Sequence, residues 1–182
     1  MKNILLITEP RTGSTTLMRS IASAYNFTYQ FEPDKRNKLE IKENHLVKII
    51  IDVKRGKSYY LDLIKKFDKT ILLSRRNIKE QCEAFWALMY LNGGNPLEKW
   101  SENQLPKNLQ KDKTFREKYE RLREKKFFLL DLSEKTNLKI NYYEDVFKNK
   151  SLLEKDIKLD LKYFGPQYKL RIKGNNTILW KG

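Results

Sequence analysis

The sequence predicts an α/β fold of three layers, in which helices cover both faces of a mostly parallel sheet. Two observations favour it. Short apolar runs such as Asn3–Thr8 (NILLIT) are typical of strands buried on both faces. Segments with apolar residues at helical spacing alternate with these runs, as in parallel α/β proteins. Because we find no internal repeat or low-complexity linker, we expect residues 1–182 to form a single domain.

The first third of the chain contains a strand, a helix and a second extended segment. The strand Asn3–Thr8 leads directly into a helix that we expect over Ser14–Tyr25. Its apolar residues at helical spacing are Leu17, Ile21 and Ala24. Residues 27–31 (FTYQF) alternate in polarity and predict a short strand or extended segment, and residues 34–44 form a polar loop.

The middle of the chain repeats this alternation twice. Residues 45–53 (HLVKIIIDV) predict a second buried strand, and residues 58–67 predict a helix. Residues 70–74 (TILLS) predict a third strand, followed by a helix over residues 78–91. One face of that helix carries Cys82, Phe85, Trp86 and Met89.

The last part of the chain is more polar. Residues 92–105 contain two glycines and Pro96, are followed directly by Pro106, and predict a loop. Residues 110–132 predict a long, highly charged helix. Residues 139–142 predict a fourth strand. We expect a short helix around residues 151–164, followed by a basic tail that contains glycine and asparagine.

The composition limits the possible functions. The 38 Lys and Arg residues exceed the 23 Asp and Glu residues by 15, and such an excess suggests nucleic acid, an anionic membrane or anionic ligands as partners. We favour a coding bias toward lysine as the source of most lysines, so arginines at junctions between loops and helices are the more informative cations.

Cysteine, histidine and apolar runs exclude several other classes. Cys82 is the only cysteine, which rules out an internal disulfide and a cysteine zinc cluster, and His45 is the only histidine. The apolar run at the amino terminus is too short for a signal peptide, and no run approaches the ~18 residues of a membrane helix. We therefore expect a soluble, reduced, cytoplasmic protein that has no membrane span.

The segment 9–16 (EPRTGSTT) combines features of an anion-binding loop at the carboxyl end of a strand. Gly13 lets the backbone approach a phosphate, and three hydroxyls lie beside the free N–H groups of a helix start. Those hydroxyls belong to Ser14, Thr15 and Thr16. Arg11 adds a forked cation. The alternative is an ordinary turn in which Ser14 or Thr15 caps the helix.

A second basic turn lies at the end of the third predicted strand. Arg75 and Arg76 follow that strand, and Asn77 is the expected N-cap of the next helix. Ligands of parallel sheets bind beyond the carboxyl ends of the strands, where segments 9–16, 32–33, 52–58 and 74–77 are expected. Two neighbouring anion sites there suit a ligand with phosphates at both ends, whereas a solvated basic turn is the alternative for Arg75 and Arg76.

The loop at residues 10–17 (PRTGSTTL) resembles the P-R-[ST]-G-[ST]-T-x-L loop of sulfotransferases that use 3′-phosphoadenosine 5′-phosphosulfate (PAPS). It is most similar in style to the tyrosylprotein and bacterial glycolipid branches. Further segments resemble the family in the same order along the chain. They are residues 31–33 (FEP), 46–48 (LVK), 72–86, 142–146 (YYEDV) and 163–165 (YFG).

The resemblance implies a P-loop NTPase-like sulfotransferase fold, with PAPS as donor, 3′-phosphoadenosine 5′-phosphate (PAP) as product and no metal. It implies a cofactor site made of loop residues, basic residues and part of the tail. These residues are Arg11, Thr12, Gly13, Ser14, Thr15, Thr16, Arg75, Arg76, Lys173 and Gly174.

The sequence departs from the family at the 3′-phosphate segment, which is usually R-[DN]-x₆-S. If Arg76 aligns with the arginine, the expected serine falls on Ala84. Ser74 or the basic tail are possible substitutes. The tail at residues 171–182 resembles the R-K-G-x-x-G-x-W segment only loosely.

The resemblance also implies catalytic roles. Sulfuryl transfer to a hydroxyl needs in-line attack, charge stabilisation and a general base. Glu32 is the expected base, while Lys48 and Arg11 would stabilise charge on the transferred group and the leaving phosphate. The alternatives are a solvated Glu32 before a proline turn and a Lys48 that snorkels from a strand edge.

Other reactive side chains fit structural roles better. His45 precedes its strand and so lies at the wrong end of the sheet for a base, and Cys82 belongs to a buried helix face. Trp86 and Tyr90 are candidates for lining an acceptor cleft. We expect an acceptor that carries a hydroxyl group, with a carbohydrate or small molecule weakly favoured, while the oligomeric state stays open.

Two other functions stay open at this point. Residues 55–58 (RGKS) contain Gly-Lys-Ser between a strand and a helix, as in a nucleotide kinase, but Ile51 occupies the place of the first glycine of that motif. The positive charge also allows a non-enzymatic protein that binds nucleic acid or another polyanion. Nucleic acid is the weaker possibility, because the predicted helix 110–132 mixes Glu with Lys.

Overall fold

The computed structural model describes residues 2–33, 39–90, 105–149 and 157–164, and within them the fold is α/β. A five-stranded sheet has the order β2-β3-β1-β4-β5, and every neighbouring pair is parallel. The strands are β1 (Asn3–Thr8), β2 (Thr28–Phe31), β3 (His45–Ile50), β4 (Lys69–Ser74) and β5 (Ile140–Tyr142). The helices are α1 (Ser14–Tyr25), α2 (Gly56–Ile64), α3 (Ile78–Tyr90), α4 (Lys113–Thr136) and α5 (Tyr143–Asn149).

The sheet is covered on both faces, which confirms the predicted α/β layering. On β1, alternate side chains point to opposite faces, and Ile4, Leu5, Leu6 and Ile7 are all fully buried. Ile4 and Leu6 pack with α1, α5 and the segment 157–164. Leu5 and Ile7 pack with α2 and α4. A strand buried in this way reads as a continuous apolar run, which explains why it was detectable in the sequence.

The order of the strands creates a crevice at their carboxyl ends. From β1 the chain passes through α1 to β2 on one side of the sheet. From β4 it passes through α3 and α4 to β5 on the other side. The loops that follow the neighbouring strands β1 and β4 therefore diverge, and ligands of open parallel sheets bind at such a point.

Several predicted boundaries were wrong, and local capping explains them. The strand predicted over 45–53 ends at Ile50, because the Asp52 side chain accepts a hydrogen bond from the Lys54 N–H and starts a 3₁₀ turn. The helix predicted over 110–132 begins after Asp112, whose carboxylate accepts from the Phe115 N–H at 2.7 Å. It ends at Thr136, because the C-cap residue Asn137 adopts the left-handed conformation.

Two further differences concern short elements. The helix α5 (Tyr143–Asn149), seven residues directly after β5, was not predicted from the sequence. Of the helix predicted around 151–164, the described part contains a single 3₁₀ turn, Leu161–Phe164. The loop predicted over 92–105 lies outside the described residues except at Leu105, as do Lys173 and Gly174 of the tail.

Within the described ranges, no helix has both the length and the apolar character needed to cross a membrane. The longest of these helices, α4, has 24 residues and carries charged side chains along its exposed positions.

The start of α1 packs closely against α5, and we expect this contact to make Gly13 sensitive to substitution. Gly13 has φ 72°, and an added Cβ would lie 2.7 Å from the Tyr143 ring and 2.9 Å from Phe147. Gly13→Ala should cost roughly 2–4 kcal/mol of unfolding free energy, from left-handed strain and overpacking together. Urea denaturation measures it.

A double-mutant cycle separates the contact from the backbone strain. Tyr143→Leu should recover at least about 1 kcal/mol of the cost of Gly13→Ala. Gly56 is the control, because it also has positive φ (71°) but nothing lies within 4 Å of its added Cβ. Equal coupling of Tyr143→Leu to both glycine variants would show that the contact is not the cause.

Candidate functional site

The amino terminus of α1 is an uncompensated helix end at the carboxyl edge of the sheet. Gly13 is the N-cap residue, in the left-handed conformation, and supplies no side-chain cap. Among the described residues, none accepts a hydrogen bond from the backbone N–H groups of Ser14, Thr15 or Thr16. The alternative in which Ser14 or Thr15 caps the helix is therefore wrong. N–H groups that lack an acceptor within the described residues, together with the helix dipole, favour an anion here.

Lys48 directs its ammonium group to this helix end. Lys48 lies on β3 and is only 2% exposed, so its side chain does not snorkel to solvent from a strand edge. The Nζ atom lies 3.3 Å from Thr15 Oγ1 in the first turn of α1 and 3.7 Å from the centre of the Phe31 ring. A cation at the positive end of a helix dipole adds to the positive potential there.

Glu32 lies beside Lys48 and is held in an unusual conformation. Its Oε1 atom is 3.7 Å from Lys48 Nζ, and its backbone N–H donates to the Lys48 carbonyl at 2.9 Å. The side chain is 13% exposed, which contradicts a freely solvated glutamate before a proline turn. Its φ of 50° lies in the left-handed region, where non-glycine residues are uncommon and often functional.

Arg11 and Arg75 bring two guanidinium groups to the crevice between β1 and β4. Arg11 also has a left-handed backbone (φ 63°). Burial lowers the pKa of Arg11, and the nearby charge of Arg75 lowers it further. No carboxylate among the described residues forms an ion pair with Arg11. Arg75, by contrast, pairs with Glu80 at 2.7 Å and lies over the Tyr143 ring at 5.0 Å.

Two predicted hydroxyl contacts are used inside the protein. Thr12 Oγ1 donates to the Glu9 carbonyl at 3.0 Å and shares a hydrogen bond with Thr8 Oγ1, so it stabilises the loop. Ser74 Oγ donates to the Glu9 carboxylate at 3.1 Å. The hydroxyl of Ser74 is therefore already used, although the sequence had suggested it as a substitute for the serine expected at Ala84.

The start of α3 also holds an anion, but one supplied by the protein. The Glu144 carboxylate accepts from the Arg76 N–H at 3.0 Å and from the Asn77 N–H at 3.3 Å. The Arg76 guanidinium, whose side chain is 51% exposed, donates to both oxygens of Asp145. The second basic turn is thus not simply solvated.

Glu9 is a residue of the site that was not predicted from the sequence. It directly follows β1 and is fully buried, where its carboxylate accepts from Ser74 Oγ and from Gln81 Nε2 at 3.2 Å. Gln81 also donates to the Pro10 carbonyl at 2.6 Å. Burial is the main reason that the pKa of Glu9 is raised to about 7. A carboxylate between an apolar strand and a proline looks like an ordinary turn in sequence, although its position at a strand end was a usable signal.

The remaining candidates lie elsewhere. His45 is the first residue of β3, so it lies at the amino ends of the strands, away from the crevice. Its Nδ1 atom hydrogen-bonds to Thr28, as expected for a structural residue. Cys82 is buried, and burial raises the pKa of its thiol to about 12, which keeps it neutral. Lys57, from the Gly-Lys-Ser segment, forms an ion pair with Asp131 of α4 at 2.6 Å. Trp86 and Tyr90 stack at 4.9 Å between ring centres.

A scan against models of known protein families finds no match for this chain, and a search of curated proteins finds no relative. The fold and site define an α/β protein with a cationic crevice at the carboxyl ends of β1, β3 and β4. Arg11, Lys48 and the amino terminus of α1 supply its positive potential.

The raised pKa of Glu9 predicts a pH-dependent stability. In the unfolded chain Glu9 loses its proton near the ordinary glutamate pKa of 4.5, whereas the folded chain keeps it until about 7. The folded state therefore binds more protons in this window, and stability falls as pH rises through it. Glu9→Gln removes this contribution, so its stability relative to wild type should rise by at most roughly 3 kcal/mol between about pH 5 and about pH 8.

Urea denaturation at several pH values measures the difference. Glu43→Gln is the control, because it removes a carboxylate that is 69% exposed in a surface ion pair with Lys2. A constant difference between wild type and Glu9→Gln across the window would contradict the raised pKa.

Proposed function

We propose that this protein is a sulfotransferase that moves the sulfuryl group of PAPS to a hydroxyl group of an acceptor. The observation that carries the proposal is the position of Lys48, a buried ammonium 3.3 Å from the first turn of α1 and 3.7 Å from Glu32. Lys48 thus lies between the two parts of the site that the sequence resemblance implies, the phosphate-binding loop and the candidate base.

The charges of the crevice support an anionic donor. Arg11, Lys48 and the start of α1 place positive charge in a largely buried region, and Glu32 is the carboxylate beside them. Burying cations is costly unless a counter-charge accompanies them. A phosphosulfate group would supply it, with oxygens suited to the backbone N–H groups of the loop.

In this proposal, each step of the reaction has a residue assigned to it. Glu32 would accept the proton of the acceptor hydroxyl while the oxygen of that hydroxyl forms a bond to sulfur. The bond between sulfur and the bridging phosphate oxygen breaks as that bond forms, and the leaving phosphate gains charge. Lys48 and Arg11 would stabilise this charge, because both bring a positive charge to the crevice before the reaction begins. The acceptor class that we favour is a carbohydrate or other small hydroxyl compound.

The Gly-Lys-Ser segment provides a matched comparison for the donor site. Lys48→Met should weaken PAP binding by more than about tenfold, since it removes a buried cation from the phosphate site. Lys57→Met should change it by less than about twofold, because Lys57 pairs with Asp131 on the surface of α2 and α4. Isothermal titration calorimetry with EDTA present measures both.

Other outcomes would favour a nucleotide kinase. Tighter binding of ATP with Mg²⁺ than of PAP, together with a larger loss in Lys57→Met than in Lys48→Met, would reject the proposal. Both variants need unchanged melting temperatures to within a few degrees for the comparison to hold.

Catalysis by Glu32 can be separated from binding. Glu32→Gln keeps the shape of the side chain but removes the base, so turnover should fall by on the order of 10²–10⁴ while PAP affinity stays nearly constant. Turnover is measured with radiolabelled PAPS and whichever compound is labelled in a screen of glycans, phenols, lipids and peptides. Glu43→Gln serves as the control.

Two results would change this assignment. A fall of less than about fivefold in Glu32→Gln would point to a base outside Glu32. Labelling of tyrosine peptides alone would reject the proposed acceptor class but not the reaction.

A further inference from the structure

The start of α3 is occupied by two carboxylates of the protein itself. Glu144 and Asp145 lie in the first turn of α5, directly after β5, which is the neighbour of β4 in the sheet. Glu144 accepts hydrogen bonds from the backbone of Arg76 and Asn77, at 3.0 and 3.3 Å. Asp145 engages both terminal nitrogens of Arg76.

This arrangement differs from that at the start of α1. There, Arg11 has no carboxylate partner among the described residues, and the first N–H groups of the helix have no acceptor among them. At α3, both the guanidinium and the backbone N–H groups already have acidic partners. An anion that uses Arg76 must therefore displace Asp145 or share the guanidinium with it.

We propose that Asp145 is a specificity-determining residue, which holds Arg76 and so reduces the preference of the site for 3′-phosphorylated over 3′-unphosphorylated adenine nucleotides. The proposal rests on the proposed function, because it takes Arg76 as the contact of the 3′-phosphate. Ala84 should also reduce the preference for 3′-phosphorylated nucleotides, since it supplies no hydroxyl where the family pattern has a serine.

The exposure of the pair suggests how strong this effect is. The side chains of Arg76 and Asp145 are 51% and 33% exposed, so water screens their attraction. Exposed ion pairs are weak enough for a dianionic phosphate to compete with them.

The test compares two nucleotides that differ only in the 3′-phosphate. Titration of Asp145→Asn with PAP should show a dissociation constant about three- to tenfold lower than in wild type. The dissociation constant of adenosine 5′-monophosphate should change by less than about twofold, because this nucleotide has no 3′-phosphate to contact Arg76. The ratio of the two constants within one sample is unaffected by a partly unfolded fraction.

Two control variants isolate the Arg76–Asp145 pair. Asp160→Asn removes a carboxylate of similar exposure, which pairs with Lys162 and accepts from Ser23, and should leave the ratio unchanged. In an Arg76→Gln background, Asp145→Asn should shift the ratio by less than about twofold, since the guanidinium for which Asp145 competes is gone.

The outcomes distinguish this proposal from the one on which it rests. If wild type binds PAP but Asp145→Asn leaves the ratio unchanged or lowers the preference for PAP, the role of Asp145 is rejected alone. If neither wild type nor Asp145→Asn binds either nucleotide at millimolar concentration, both proposals are rejected.

Discussion

The buried ammonium group of Lys48 at the start of α1 is the constraint around which the site is arranged. Parallel pairing of β1, β2 and β3 brings Phe31, Lys48 and the α1 loop to one edge of the sheet. Lys48 is then confined between the Phe31 ring, Thr15 and Glu32. The positive charge of Lys48 lies at the positive end of a helix and needs a nearby negative charge. Glu32 supplies one, and a bound anion would supply another.

Glu9 links this region to the other side of the crevice. Its carboxylate joins the end of β1 to Ser74 on β4 and to Gln81 on α3, and Gln81 in turn holds the Pro10 carbonyl. These bonds fix the spacing of the two diverging loops, and therefore of Arg11 and Arg75. Burial of the carboxylate is unfavourable when it is ionised, so the connection is made at a cost in stability near neutral pH.

The sequence predicted those parts of the molecule that depend on local pattern. The strands β1 and β4 were evident from apolar runs, and α1 from its apolar spacing. The helix α5 was not, because a segment of seven residues such as Tyr143–Asn149 is too short to be helical without packing, here of Tyr143 and Phe147 against Gly13 and the core. Lys48 and Glu32 were selected by resemblance, and the structure does place them together. The pairing of Arg76 with Asp145, 69 residues apart, has no local signature.

The two basic turns, each of which lies between a strand and a helix, differ in how their charge is balanced. At α1, Arg11 and the helix end have no acidic partner among the described residues, whereas at α3 Glu144 and Asp145 satisfy both the backbone and Arg76. A ligand gains most where it replaces missing partners and least where it must compete with existing ones. If the proposed function is correct, the affinity for PAPS should therefore arise mainly at its 5′ end, where the reacting group would also lie.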